Sequence, residues 1–231
     1  MTDASVAARD ELLDGLTPGT VAGQAVYSPR TLKLYDWLVL GFSNRFAWRC
    51  PTRELREMYD RHVTANHLEV GVGTGYFLDR CRFPVGNPRV VLMDLNEDCL
   101  QTAADRIRRY RPEMVRANVL EPVDYSGGPF DSIGVNYVLH CLPGTMAEKA
   151  VVFDHLGRLL SPGGVLFGST LLGEGVQHNL LARRLMAVYN RRGIFCNTAD
   201  TLDGLRTALQ TWFGEWDVRV VGCAALFWAR S

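Results

Sequence analysis

Neither sign of charge dominates this chain: 25 Lys and Arg stand against 25 Asp and Glu, a formal net charge of zero. A protein that tracks a nucleic-acid backbone carries a basic excess, so no nucleic-acid partner is expected. Long apolar runs are also missing. No segment approaches the length needed to cross a bilayer, and Asp3, Arg9, Asp10 and Glu11 interrupt the start of the chain where a signal peptide would be apolar. The six cysteines form no C-x-x-C pair, and no His/Cys cluster has zinc spacing. No metal is therefore expected, and the thiols read as the reduced thiols of a cytoplasmic protein. Internal repeats and low-complexity segments are absent as well.

What is present is enough apolar material for a large core. Hydrophobic residues make up 47% of 231 residues, which suits one α/β domain spanning 1–231 without disulfide or metal staples. Ser28-Pro29 reads as a helix start, Leu34, Tyr35, Leu38 and Val39 as its apolar face, and Gly41 as its stop. A second helix is predicted from about Thr52 to His62. Together these make residues 1–62 a helical cap on an α/β core at 63–231, with a helical insert at about 171–200.

From residue 66 the pattern alternates. Strands are predicted at Leu68–Val70, Arg89–Met93, Glu113–Arg116, Phe130–Asn136 and Val165–Ser169. Helices intervene, one capped by Asn96 and one opened by a Thr145/Glu148 capping box and running to about Leu160. Two last strands, Trp216–Arg219 and Ala224–Trp228, flank Gly222 and form a final antiparallel pair. The fold class is α/β: a doubly wound, mostly parallel seven-stranded sheet with a final antiparallel strand. Ligands bind such sheets beyond the carboxyl ends of the strands, where the strand order reverses.

The sharpest motif is Leu68-Glu69-Val70-Gly71-Val72-Gly73-Thr74-Gly75-Tyr76. Glycines at alternate positions permit a tight turn and close approach of a ligand to the backbone, and the next helix aims its first N–H groups at the same place. A dinucleotide turn needs its third glycine at position 76. Tyr76 occupies that position and argues against a nicotinamide dehydrogenase. At the end of the second strand, Asp94 has a carboxylate able to accept both hydroxyl hydrogens of a ribose.

The G-x-G-x-G spacing after Glu69 resembles the first motif of class I S-adenosylmethionine-dependent methyltransferases. The resemblance implies that Glu69 helps hold the methionyl amino group and that Gly71, Gly73 and Gly75 cradle the ligand. It also implies that Asp94, with Leu95, meets the ribose, while Asn118 and Val119 in Arg116–Leu120 meet the adenine. Asn136 opens the segment Asn136-Tyr137-Val138-Leu139-His140, which in the family ends near the transferable methyl group. That segment lacks the Asn/Asp-Pro-Pro-Tyr/Phe of enzymes that methylate nucleobase or glutamine amino groups. The Leu159–Gly164 run is similar to the family's L-x-P-G-G turn. Tyr35-Asp36, Gly41 and Trp48 are similar to a pattern in the ubiquinone/menaquinone C-methyltransferase group, where the tyrosine sits over cofactor or substrate.

The resemblance implies transfer of a methyl group from S-adenosylmethionine to a small organic acceptor at O, C or S. His140, expected at the rim of the crevice, is the candidate general base. Tyr27, Tyr35 and Trp37 are candidate acceptor contacts, with Trp48 and the stretch Leu180–Phe195 beside them. Two alternatives keep the same cofactor or fold: a rearrangement without methyl transfer, and a non-catalytic ligand-binding module.

Overall fold

A computed structural model describes residues 36–230, with side chains from residue 41 onward. The helix start at Ser28 and the candidate contacts Tyr27 and Tyr35 lie outside the described residues.

The chain enters as α1 (Asp36–Ala47), a helix wound wider than the α-form. It runs through Gly41, which the sequence marks as its stop. A glycine inside a helix costs about 1 kcal/mol and does not by itself end it. The end comes at Arg49, which turns left-handed at φ 52°, while the Trp48 N–H donates to Ser43 O at 2.9 Å. The amphipathic helix α2 (Thr52–His62) follows as expected and buries Leu55, Met58 and Tyr59.

The alternating part has β1 (Asn66–Val70), α3 (Tyr76–Arg80), β2 (Arg89–Asp94), α4 (Glu97–Arg106), β3 (Glu113–Arg116) and β4 (Phe130–Asn136). Next come α5 (Met146–Lys149), α6 (Val151–Gly157), β5 (Leu160–Leu171), α7 (Leu180–Arg191), α8 (Leu202–Trp212), β6 (Glu215–Val221) and β7 (Ala224–Arg230). Side chains cap the helices where the sequence places them. Asn96 Oδ1 accepts from the N–H groups of Asp98 and Cys99 at 2.9 and 3.3 Å, and both halves of the Thr145/Glu148 box are made. Each such cap stabilises its helix by about 1 kcal/mol. The single helix expected up to Leu160 is two, α5 and α6, and it ends at Gly157. The Ser161–Gly164 turn lies inside β5, where pairing with β4 shifts register between Phe130 and Ser132.

The seven strands form one sheet in the order β3-β2-β1-β4-β5-β7-β6. Only β7 runs antiparallel to its neighbours, β5 and β6. Both faces are covered, and the strands divide between two cores by their period of two. In β2, Val90 and Leu92 join the core under α2, α3, α4 and α7, whereas Val91 and Met93 join the core under α6 and α8. Phe167 anchors the first core and Phe153 the second; both are fully buried. The chain leaves β1 toward β2 and β3, then returns to β4 on β1's other side. The order therefore reverses between β1 and β4, and a crevice opens above their carboxyl ends. Among the described residues, no helix is long and apolar enough to cross a membrane.

Candidate functional site

The turn after β1 forms the floor of that crevice. Gly71, Gly73 and Gly75 have φ of 69°, 51° and 69°, a region L-residues with side chains avoid. Two of them meet different surroundings. A Cβ on Gly75 would touch the backbone of Ala103 in α4, whose Cα would be 3.0 Å away. A Cβ on Gly73 would meet nothing within 4 Å, so its backbone faces open space. Gly71 ties the turn to β2 by donating its N–H to Met93 O at 2.8 Å.

The larger chamber spans about 920 Å³, open solvent included. Asp94, Leu95, Asn118 and Val119 line it, with Cys99, Val138 and Leu142. A second hollow is walled by Glu69, Gly75, Tyr76 and Phe77. Gly71, Gly73, Asn136 and Tyr137 border both, so the two form the arms of one crevice. All nine residues that the sequence nominated for the cofactor therefore meet there.

Asp94 ends β2 with its carboxylate among backbone donors. Oδ1 accepts from the Asn96 N–H at 2.9 Å, and N–H groups of Val72, Gly73 and Leu95 also point to it. Burial nonetheless raises its pKa to about 6, because a carboxylate loses more hydration there than these donors return. Asn118 is held by its own turn: Oδ1 accepts from the Leu120 N–H at 3.1 Å, and Nδ2 donates to Glu121 Oε1 at 2.8 Å. Asn136 accepts the hydroxyl of the buried Ser169. Tyr137, at φ 59°, donates its hydroxyl to Asn44 Oδ1 at 3.0 Å and links α1 to the crevice.

The expected place of His140 needs correction. It is 3% exposed and does not line either arm. Its Nδ1 accepts the Leu171 N–H at 3.3 Å, and the Phe195 ring stands edge-on at 4.6 Å. Burial, with the nearby Lys149 cation, lowers its pKa to about 3. It is thus a buried imidazole of lowered basicity, set back from both arms. The sequence could not show this, because its cover comes from the Ile194–Cys196 segment. There the Cys196 N–H donates to His140 O. Trp48 is 2% exposed and packs in the core. Trp37 lies on α1, and its side chain is outside the described set.

Sequence reasoning assigned nothing to His67. In the structure its Nε2 lies 3.0 Å from Glu69 Oε2 and its Nδ1 2.8 Å from Ser132 Oγ, all buried. The Tyr59 hydroxyl donates to Glu69 Oε1. A signal was available: residues two apart on a strand share a face, so His67 had to neighbour Glu69.

The family described as "Methyltransferase domain" matches residues 68–166. The chain is 40% identical to demethylluteothin O-methyltransferase of Streptomyces thioluteus over 98% of this chain and 97% of that protein. It is 37% identical to the Physcion biosynthesis cluster O-methyltransferase of Aspergillus chevalieri, covering 94% and 97% of the two chains. Among solved structures, the N-methyltransferase NodS from Bradyrhizobium japonicum WM9, in complex with S-adenosyl-L-homocysteine, superposes with a TM-score of 0.58. That match has 18% identity and covers 87% of this chain and 97% of that one, a likeness of fold.

Proposed function

We propose, for a chain that belongs to the class I S-adenosylmethionine-dependent methyltransferase family, that the acceptor atom is a hydroxyl oxygen of a small organic molecule. The observation that carries this reading is the near end-to-end match to an enzyme named for O-methylation, with a second of the same kind.

S-adenosylmethionine is the donor, and it supplies a methyl group already activated on a sulfonium. The chain's residues then have to bind, orient and exclude water. Asp94 is suited to accept the two ribose hydroxyls, because it is the carboxylate lining the larger arm. Leu95 and Val119 offer apolar surface for the adenine, and Gly73 leaves backbone open to the ligand. Glu69, in the second arm, is the counter-charge for the amino group of the methionyl portion. Asn136 and Tyr137 border both arms, so the sulfonium is assigned to the stretch beside them. His140 carries no proton transfer in this reading, since a buried imidazole with a pKa near 3 is a poor base.

The test is incubation with S-adenosylmethionine and a panel of phenolic, enolic, amine and thiol acceptors, with S-adenosylhomocysteine and methylated product measured together. Product from hydroxyl acceptors supports the assignment. Turnover confined to amines or thiols overturns it.

A further inference from the structure

The β1–β4 pairing puts an unusual cluster behind Glu69. His67 is in register with Ser132, and Glu69 with Gly134. All four positions lie on the sheet face that packs under α2. A side chain at position 134 would overlap Glu69 Oε2 and crowd the His67 ring, so glycine there leaves room for the pair.

The network starts at the far end. The Thr64 hydroxyl lies 3.0 Å from Asn66 O and 2.9 Å from the Ser132 hydroxyl, and the Thr64 N–H donates to Ser132 Oγ at 3.0 Å. Ser132 Oγ is hydrogen-bonded to His67 Nδ1, which leaves Nε2 to face a carboxylate that already accepts from Tyr59. A carboxylate has no hydrogen to give, so Nε2–H is the donor. His67 thus joins Ser132 to Glu69 in a buried chain of hydrogen bonds.

We propose that His67 is a positioning residue for the methyl donor: anchored on Ser132, it holds the Glu69 carboxylate by a charge-assisted bond and sets where the donor's ammonium binds. This rests on the role given to Glu69 above. Removing the donor leaves a buried carboxylate oxygen unpaired, and such a carboxylate turns away from the crevice or takes up a proton.

The experiment uses the full chain and needs no acceptor. Binding of S-adenosylhomocysteine is compared with that of 5′-methylthioadenosine, which lacks the amino-acid portion, for wild type, E69Q, H67Q and S132A. Both E69Q and H67Q should weaken S-adenosylhomocysteine about ten-fold or more and leave methylthioadenosine unchanged, with S132A between them and wild type. In ¹⁵N-histidine spectra of the wild type, the ring signals lost in H67Q, or altered in S132A, should carry a hydrogen on Nε2. A His67 ring without a hydrogen on Nε2 overturns the proposal, as does H67Q or S132A binding both ligands like wild type while E69Q discriminates. An E69Q that does not discriminate removes the role of Glu69, and that of His67 with it. Equal loss of both ligands in H67Q marks a purely structural role and overturns it too.

Discussion

Lys149 Nζ, fully buried on α5, lies 3.0 and 2.8 Å from the two carboxylate oxygens of Asp200, which precedes α8. The same ammonium donates to Cys196 O, and Asp200 O accepts the N–H groups of Gly173 and Glu174. One ion pair thus ties α5, the end of β5 and the segment over His140. Removing one partner leaves a charge stranded out of water. K149M should lose about 3–5 kcal/mol of unfolding free energy, measured by urea denaturation, and the double variant K149M/D200L should recover much of it. A single variant as stable as wild type would show that the pair is not load-sharing in solution.

Asp94 sets opposite demands on stability and binding. Its pKa in the fold, about 6, is raised by burial above the ordinary 3.8. The folded state therefore holds this proton more tightly than the unfolded state. The sign follows: its unfavourable contribution is fully present above pH 6 and disappears as pH falls toward 4. D94N should raise the unfolding free energy of the ligand-free protein at pH 7.5 by up to about 3 kcal/mol. Binding runs the other way, because a ribose hydroxyl needs the carboxylate as acceptor. Calorimetry of S-adenosylhomocysteine should show weaker binding below pH 6 in wild type and little pH dependence of that kind in D94N.

Gly73 and Gly75 share a left-handed backbone but differ in what surrounds them. An alanine at either pays the φ penalty of about 1–2 kcal/mol. G75A must also push α4 away at Ala103, so it should melt lower than G73A. G73A puts a methyl into the crevice and should lose the thermal shift given by S-adenosylhomocysteine, while keeping more of its stability. Equal melting temperatures would contradict the packing at Gly75.

Five of the six cysteines are buried or half-buried, and only Cys196 is exposed. Cys141 lines the crevice, yet burial raises its thiol to about 12, and Cys50 and Cys81 are raised likewise. At pH 7.5 a thiol-disulfide reagent should modify one cysteine rapidly, and C196S should abolish that phase. Rapid modification of Cys141 would mean its surroundings are more open than described.

Much of this protein was legible before any fold was known, where the cause is local. The Asn96 cap and the Thr145/Glu148 box depend on neighbours three residues away. The β1 turn depends on which residues tolerate left-handed φ, and its spacing separates it from a dinucleotide turn at Tyr76. Local causes also mislead at their limits. Gly41 has the chemistry of a helix stop, but the helix continues through it to Ala47, just before Arg49 turns left-handed.

The alternation of strands and helices, the glycine turn after β1 and the acids at positions 69 and 94 are written in the local order of residues. Strand period, turn chemistry and capping all act within a few residues. Tertiary structure alone decided what His67 and His140 are. His67 became the link between Ser132 and Glu69 because β4 brings Ser132 and Gly134 beside it from 65 residues away. His140 became buried because Phe195 and the segment anchored by Lys149 and Asp200 cover it. An imidazole's charge is set by the donors, acceptors and water that surround it, and those are assembled only when distant parts of the chain pack together.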